Sequence, residues 1–142
     1  MNTRLDELQA AILRVKLLYL DEENQRRRNL AGIYDQVLSG TTLDLPQTRG
    51  PITHVYHQYV IRSSHRDDLG AFLKDNSIGS MVHYPVPVHL QPAYENRVCI
   101  GSDLDVTERI CQEILSLPMH PQMTDEQISR VGDSVARWSD KA

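Results

Sequence analysis

Leu5, Leu8, Ile12, Val15 and Tyr19 recur at intervals of three and four, a spacing that collects them on one face of a helix. Leu13, Leu17 and Leu20 form a second apolar row beside the first. Two rows imply burial over a wide arc, as in a helix packed against two partners. Thr3 stands where an N-cap is needed, and Asp6 falls in the first turn, where the helix dipole favours an acid. In the polar segment that follows, Glu22 precedes Arg26 by four and Glu23 precedes Arg27 by four, the favoured order for pairing along a helix. The run Arg26–Arg27–Arg28 therefore reads as a solvated, ion-paired helix face rather than a phosphate or nucleic-acid patch. Leu30, Ile33, Tyr34, Val37 and Leu38 resume the period, and Gly40 ends it. The expectation is one long N-terminal helix.

Beyond it, "TTLDLPQTRGP" is punctuated as a loop. His54 to Arg62 alternates and is rich in β-branched and aromatic residues, which predicts a strand. Ser64 with Asp67 marks the start of a helix to about Lys74, stopped by "DNSIG". The prolines at 85, 87 and 92 leave "SMVHYPVPVHLQPAY" room for a short strand at its start and then an extended loop. A helix from Leu104 to Leu115 follows, with Ser102 as cap and Val106, Ile110 and Ile114 on one face. "LSLP" reads as a short strand. Thr124 and Gln127 form a capping box ahead of a last helix carrying Ile128, Val131, Val135 and Trp138. The order predicts an α+β fold: a short sheet covered by helices, with a long N-terminal helix, all in one domain over residues 1–142.

At 142 residues the chain can bury roughly 68–70% of its unfolded surface, so it needs neither disulfide nor metal to fold. Its net charge of −4 disfavours nucleic acid and anionic membrane as partners. The start of the chain carries Arg4, Asp6 and Glu7 where a signal peptide would need an apolar core, and no run of about 18 apolar residues offers a membrane span. Cys99 and Cys111 make no disulfide framework and read as reduced thiols of a cytoplasmic protein.

The six histidines form no metal pattern. His54 and His57 would leave a strand on opposite faces, and a Pro-rich loop separates His83 from His89. No Gly-rich phosphate loop exists, and nothing marks a nucleophile, so no catalytic residue is assigned. Two stretches stand out. Asn2 and Arg4 sit at a helix start, whose free N–H groups suit an anion such as a phosphate, although ordinary capping with a surface arginine also fits. His83 and Tyr84 stand where a strand gives way to a stiff loop. They can present an imidazole and a phenol at a cavity rim, or serve only a proline-stiffened connection with a buried tyrosine.

Together these stretches resemble one family. "NTRLDELQAAIL" looks like the helix opening the C-terminal part of the sugar aminotransferases of the DegT/DnrJ/EryC1/StrS type. "HVYHQYVIR", "VHYPVPVHLQPAY" and "LSLPMHPQMTDEQI" follow in that family's order with similar gaps, so the resemblance covers nearly the whole chain. It implies the small C-terminal domain of a fold-type I enzyme dependent on pyridoxal phosphate. Such enzymes move an amino group, usually from glutamate, onto a keto group of a nucleotide-linked sugar in deoxysugar biosynthesis. They work as homodimers with active sites at the subunit interface. The resemblance further implies that Asn2 reaches the cofactor phosphate from the partner subunit, that Arg4 lies near the pocket, and that His83 and Tyr84 belong to the substrate-side loop. The His-Tyr-Pro form is similar to that of members acting on dTDP-linked 3-keto-6-deoxyhexoses.

The family's Schiff-base lysine belongs to a large cofactor-binding domain and is followed by a Gly-rich stretch. The lysines here, Lys16, Lys74 and Lys141, lack that context. The resemblance thus implies that the chain begins where the large domain ends and is inactive alone, the cofactor being a property of the full-length enzyme. A free-standing ligand-binding or interaction module, and a small metal- or histidine-dependent enzyme, are the other readings of the same residues. On the first reading, the apolar face of the opening helix is left uncovered in this chain. Self-association is then expected, and a monodisperse monomer by light scattering at high concentration would contradict it.

Overall fold

The computed structural model describes residues 6–94, 97 and 101–139. Two helices come first, α1 (Glu7–Leu17) and α2 (Leu20–Leu38). They are followed by strand β1 (Tyr59–Arg62), helix α3 (Arg66–Asp75), helix α4 (Asp105–Glu113), strand β2 (Ile114–Leu117) and helix α5 (Asp125–Ser139). Two single-turn 3₁₀ helices, Val88–Leu90 and Pro92–Tyr94, lie in the proline-rich connection. Among the described residues no helix is long and apolar enough to cross a membrane.

The expected single N-terminal helix is broken at Leu18 and Tyr19. Their N–H groups turn to the carbonyls of Val15 and Lys16, three residues back, and the tightened turn restarts as α2. No proline or glycine marks the joint, so periodicity runs through it unseen. Thr3 lies outside the described residues; Asp6 is the observed cap, accepting the N–H of Leu8 at 2.8 Å. Helix α1 buries none of its residues: Leu8 is 76% exposed and Ile12 61%. The wide apolar face is present and uncovered.

Helix α2 carries the interior. Leu30, Ala31, Tyr34 and Leu38 face Ile128, Val131 and Val135 of α5, with Leu69 and Leu73 of α3 completing the cluster. Burying each large aliphatic side chain contributes about 1.5–3 kcal/mol. The helices approach closely at Gly132, where a β-carbon would lie 2.9 Å from Cγ1 of Val37. The expected Glu22–Arg26 and Glu23–Arg27 pairs do not form. Arg26 instead donates to the carbonyl of Met123 at 2.6 Å and meets Asp125 at 2.8 Å, and Arg27 donates to the carbonyl of Met119 at 3.3 Å. The arginines reach across to the segment joining β2 and α5, where orphan carbonyls and an acid offer more than an exposed intrahelical pair would.

The sheet has two antiparallel strands, with Tyr59 opposite Leu117 and Arg62 opposite Ile114. One bridge on each side extends it, Asp44 to Arg62 and Met81 to Ser116. The predicted strand from His54 is therefore shorter. His54 lies before it, its Nδ1 accepting the N–H of Tyr56, whose φ of 48° breaks the extended run. The capping box of α5 forms in both directions between Thr124 and Gln127. At α3 it is Ser63, not Ser64, that accepts a nearby N–H, from His65. At α4 Asp103 takes the N–H of Asp105, in place of the expected Ser102 cap, and the helix yields to β2 at Ile114.

Two tyrosine rings, Tyr34 and Tyr59, pack at 4.8 Å inside this core. Tyr34 donates its hydroxyl to the carbonyl of Pro118 at 2.7 Å, and Tyr59 donates to Asp35 at 2.5 Å. Burial pushes both phenols well above the ordinary value of about 10, and for Tyr59 the hydrogen bond to Asp35 adds to it.

Two outcomes are expected. Gly132→Ala, which in an open helix would stabilise, lowers stability here by about 1–3 kcal/mol through overpacking. Adding Val37→Ala relieves the clash, so the double variant melts above the value that the two single changes sum to. The second concerns alkali. Tyr34 and Tyr59 stay protonated in the folded state above pH 10 while their unfolded counterparts ionise. Unfolding therefore releases protons, and stability, complete below about pH 10, falls as pH rises through it. Urea melts across that range should show the fall, and Tyr59→Phe should flatten it.

Candidate functional site

Side chains alternate across a strand, so the two faces of this small sheet have different fates. Tyr59 and Ile61 of β1 and Leu115 and Leu117 of β2 enter the core. Val60 and Ser116, paired across the strands, fall on the other face. Met81 exchanges both backbone hydrogen bonds with Ser116, at 2.8 and 3.2 Å, which lays the start of the proline-rich connection along that edge. Two residues further on, His83 is half-buried with its Nδ1 2.9 Å from the hydroxyl of Ser116. Ser116 itself is only 6% exposed.

A cavity of about 340 Å³ opens on this side. Its lining includes His57, Gln58, Met81, His83, Ser116 and Met119. Two imidazoles, an amide and the hydroxyls of Ser80 and Ser116 line it together with apolar side chains, and its lining includes no Asp, Glu, Lys or Arg. Such a wall suits an oxygen-rich, hydroxylated ligand bound by hydrogen bonds. The wall is braced from behind: the lining residues Pro118 and Met119 present their carbonyls to Tyr34 and Arg27 of α2. Further along, His89 meets Glu108 of α4 at 3.0 Å and ties down the proline-rich connection.

Of the residues singled out in the sequence, His83 lines the cavity and Tyr84 stands beside it, 73% exposed, its ring edge-on to that of His83 at 5.9 Å. Asn2 and Arg4 lie outside the described residues, as do Cys99 and Lys141. Ser116, His57 and Gln58 were not foreseen in the site. Ser116 had a signal: a lone hydroxyl in "ILSL" must leave a strand on the face opposite its leucines. His57 and Gln58 had none, since the strand that would have oriented them starts later. Among the described residues no three His, Cys, Asp or Glu side chains gather as metal ligands would.

The site does not fit a covalently held pyridoxal phosphate. Lys16 is exposed on α1, and Lys74 lines an adjoining cavity with Arg66 and Ser80. Neither amine belongs to the wall formed by His83 and Ser116.

Comparison with known proteins gives this geometry a context. The chain is 39% identical over 138 residues to the dTDP-3-amino-3,6-dideoxy-alpha-D-galactopyranose transaminase of Aneurinibacillus thermoaerophilus, covering 97% of this chain and 38% of that protein. It is 40% identical over 141 residues to the dTDP-3-amino-3,4,6-trideoxy-alpha-D-glucose transaminase of Streptomyces venezuelae, covering 99% of this chain and 37% of the relative. The crystal structure of S. venezuelae DesV in complex with a ketimine intermediate superposes with a TM-score of 0.94 at 39% identity, over 100% of this chain and 38% of that one. The chain thus spans less than two-fifths of the length of these relatives, and its fold is that of the small domain of fold-type I aminotransferases. With the family profile matching residues 1–136, the chain belongs to the DegT/DnrJ/EryC1/StrS aminotransferase family.

Proposed function

We propose that residues 1–142 form the small C-terminal domain of a pyridoxal-phosphate-dependent aminotransferase acting on a nucleotide-linked keto-sugar, with glutamate as amino donor. The observation that carries this reading is the uncharged, hydrogen-bonding wall around His83, in a chain about 40% identical to two transaminases named for dTDP-linked amino sugars. A dTDP-linked 3-keto-6-deoxyhexose is the substrate these names favour.

On this reading His83 and Tyr84 meet the sugar, His83 through hydrogen bonds from a fixed ring and Tyr84 from the exposed mouth. Asn2 contributes to the cofactor-phosphate side of a neighbouring subunit's site, with Arg4 nearby. The uncovered apolar face of α1 is the surface on which the large domain and a second subunit of a homodimer rest. The cofactor, when bound, supplies the electron sink for amino transfer. On this reading the amine that holds it belongs to the large domain, so this chain binds and orients substrate and is catalytically silent by itself. The chemistry of nucleotide sugars fits a cytoplasmic enzyme.

Two measurements on the isotope-labelled chain test the proposal. Adding dTDP-glucose should move the NMR signals of His83, Tyr84 and Gln58 in fast exchange, while glucose alone has less effect. Unchanged signals at His83 would sink the sugar-side assignment. Adding pyridoxal phosphate should give no stable visible band from a lysine adduct. A band that persists and is lost in Lys16→Ala would overturn the claim that the anchoring amine lies elsewhere.

A further inference from the structure

We infer that Ser116 fixes the tautomer of His83, placing the ring proton on Nε2 and making this imidazole a hydrogen-bond donor toward the ligand in the cavity. The tautomer follows from the hydrogen bonds of the ligand-free chain. The identity of the ligand rests on the reading of the cavity as a sugar-binding wall.

The argument starts from the buried hydroxyl. Ser116 has both backbone groups engaged by Met81, so neither is free to serve its side chain or another residue's. Its side chain is buried, and among the described residues its one hydrogen-bond partner is Nδ1 of His83, at 2.9 Å. A neutral imidazole has one protonated nitrogen and one acceptor. If Nδ1 carried the proton, it would donate to the serine oxygen, and the hydroxyl proton would be left buried with no acceptor. If Nδ1 carries the lone pair, the hydroxyl donates to it and every group is satisfied. The ring proton then sits on Nε2, which meets no hydrogen-bond partner among the described residues. The bond made by one ring nitrogen sets what the other offers.

The consequence is a preference in kind. An Nε2–H takes an acceptor oxygen: a keto or hydroxyl oxygen of a sugar, or a phosphate oxygen. It turns away an ammonium group, which has only donors. Ser116 is thus a positioning residue, acting through the ring of His83. The strand pairing gives it a rigid base, since Val60 lies opposite it on β1 and Met81 is bonded along its other edge.

Long-range proton–nitrogen NMR spectra of the 15N-labelled chain, recorded without ligand at about pH 8, above the ordinary histidine range, test this. His83 is assigned by the signals lost in His83→Gln. The expected pattern is a pyridine-type Nδ1 and a pyrrole-type Nε2. In Ser116→Ala the ring should become a mixture of both tautomers, and Ser116→Thr should restore the single form. A protonated Nδ1 in the wild-type chain overturns the inference, and the wild-type spectrum decides that point even where Ser116→Ala fails to fold. A folded Ser116→Ala with an unaltered pattern overturns it as well. The sugar reading fails separately: an Nε2–H tautomer whose signal dTDP-glucose does not move upholds the role of Ser116 and removes the sugar.

Discussion

Two phenol groups hold the helix layer and the sheet in one register, from opposite directions. Tyr34 sends its hydroxyl from α2 to the carbonyl of Pro118 at the exit of β2, and Tyr59 sends its own from β1 to Asp35 on α2. Both rings are fully buried and touch each other. Sliding α2 by one turn would strand both hydroxyls in an apolar interior, a cost of about 1–3 kcal/mol each on top of lost packing. The seat of α5 depends on that register, because Gly132 admits Val37 at one height of the helix and not at the next.

The cavity inherits the same constraint. Its face of the sheet is defined by which residues of β2 the core has claimed: with Leu115 and Leu117 inside, Ser116 is left outside. A slip of one residue would exchange the serine for a leucine and remove the partner of His83. Packing and ligand recognition are therefore one problem in this strand. The hydrophobic pattern selects the face, and the hydroxyl on that face selects what the imidazole can do.

Much of this was legible in the residues. The apolar spacing of Leu30, Tyr34 and Leu38, the capping box at Thr124 and the strand at "LSLP" all carry local signals, and each appears where those signals place it. The break at Leu18–Tyr19 does not, because a tightened helical turn requires no special residue. The arginine pairs were misread for a different reason. Sequence neighbours offer Arg26 and Arg27 acceptors four residues away, whereas the fold brings carbonyls from about a hundred residues downstream, and only tertiary contact reveals those. His83 and Tyr84 were legible through the change from strand to proline-rich loop. Ser116 was legible as the hydroxyl opposite the leucines of β2, but its place beside His83 depends on the bridge to Met81, which carries no local signal.

The bracing of Pro118 and Met119 by Tyr34 and Arg27 bears on the thermodynamics of occupancy. A pocket rim that is already anchored to the longest helix has little backbone freedom left to surrender when a guest arrives. The entropic burden of association then falls on the guest and on whatever body closes the open side. Calorimetry on the native chain and on a variant with a loosened rim would differ chiefly in the entropy of association, the enthalpy from the polar contacts being little changed.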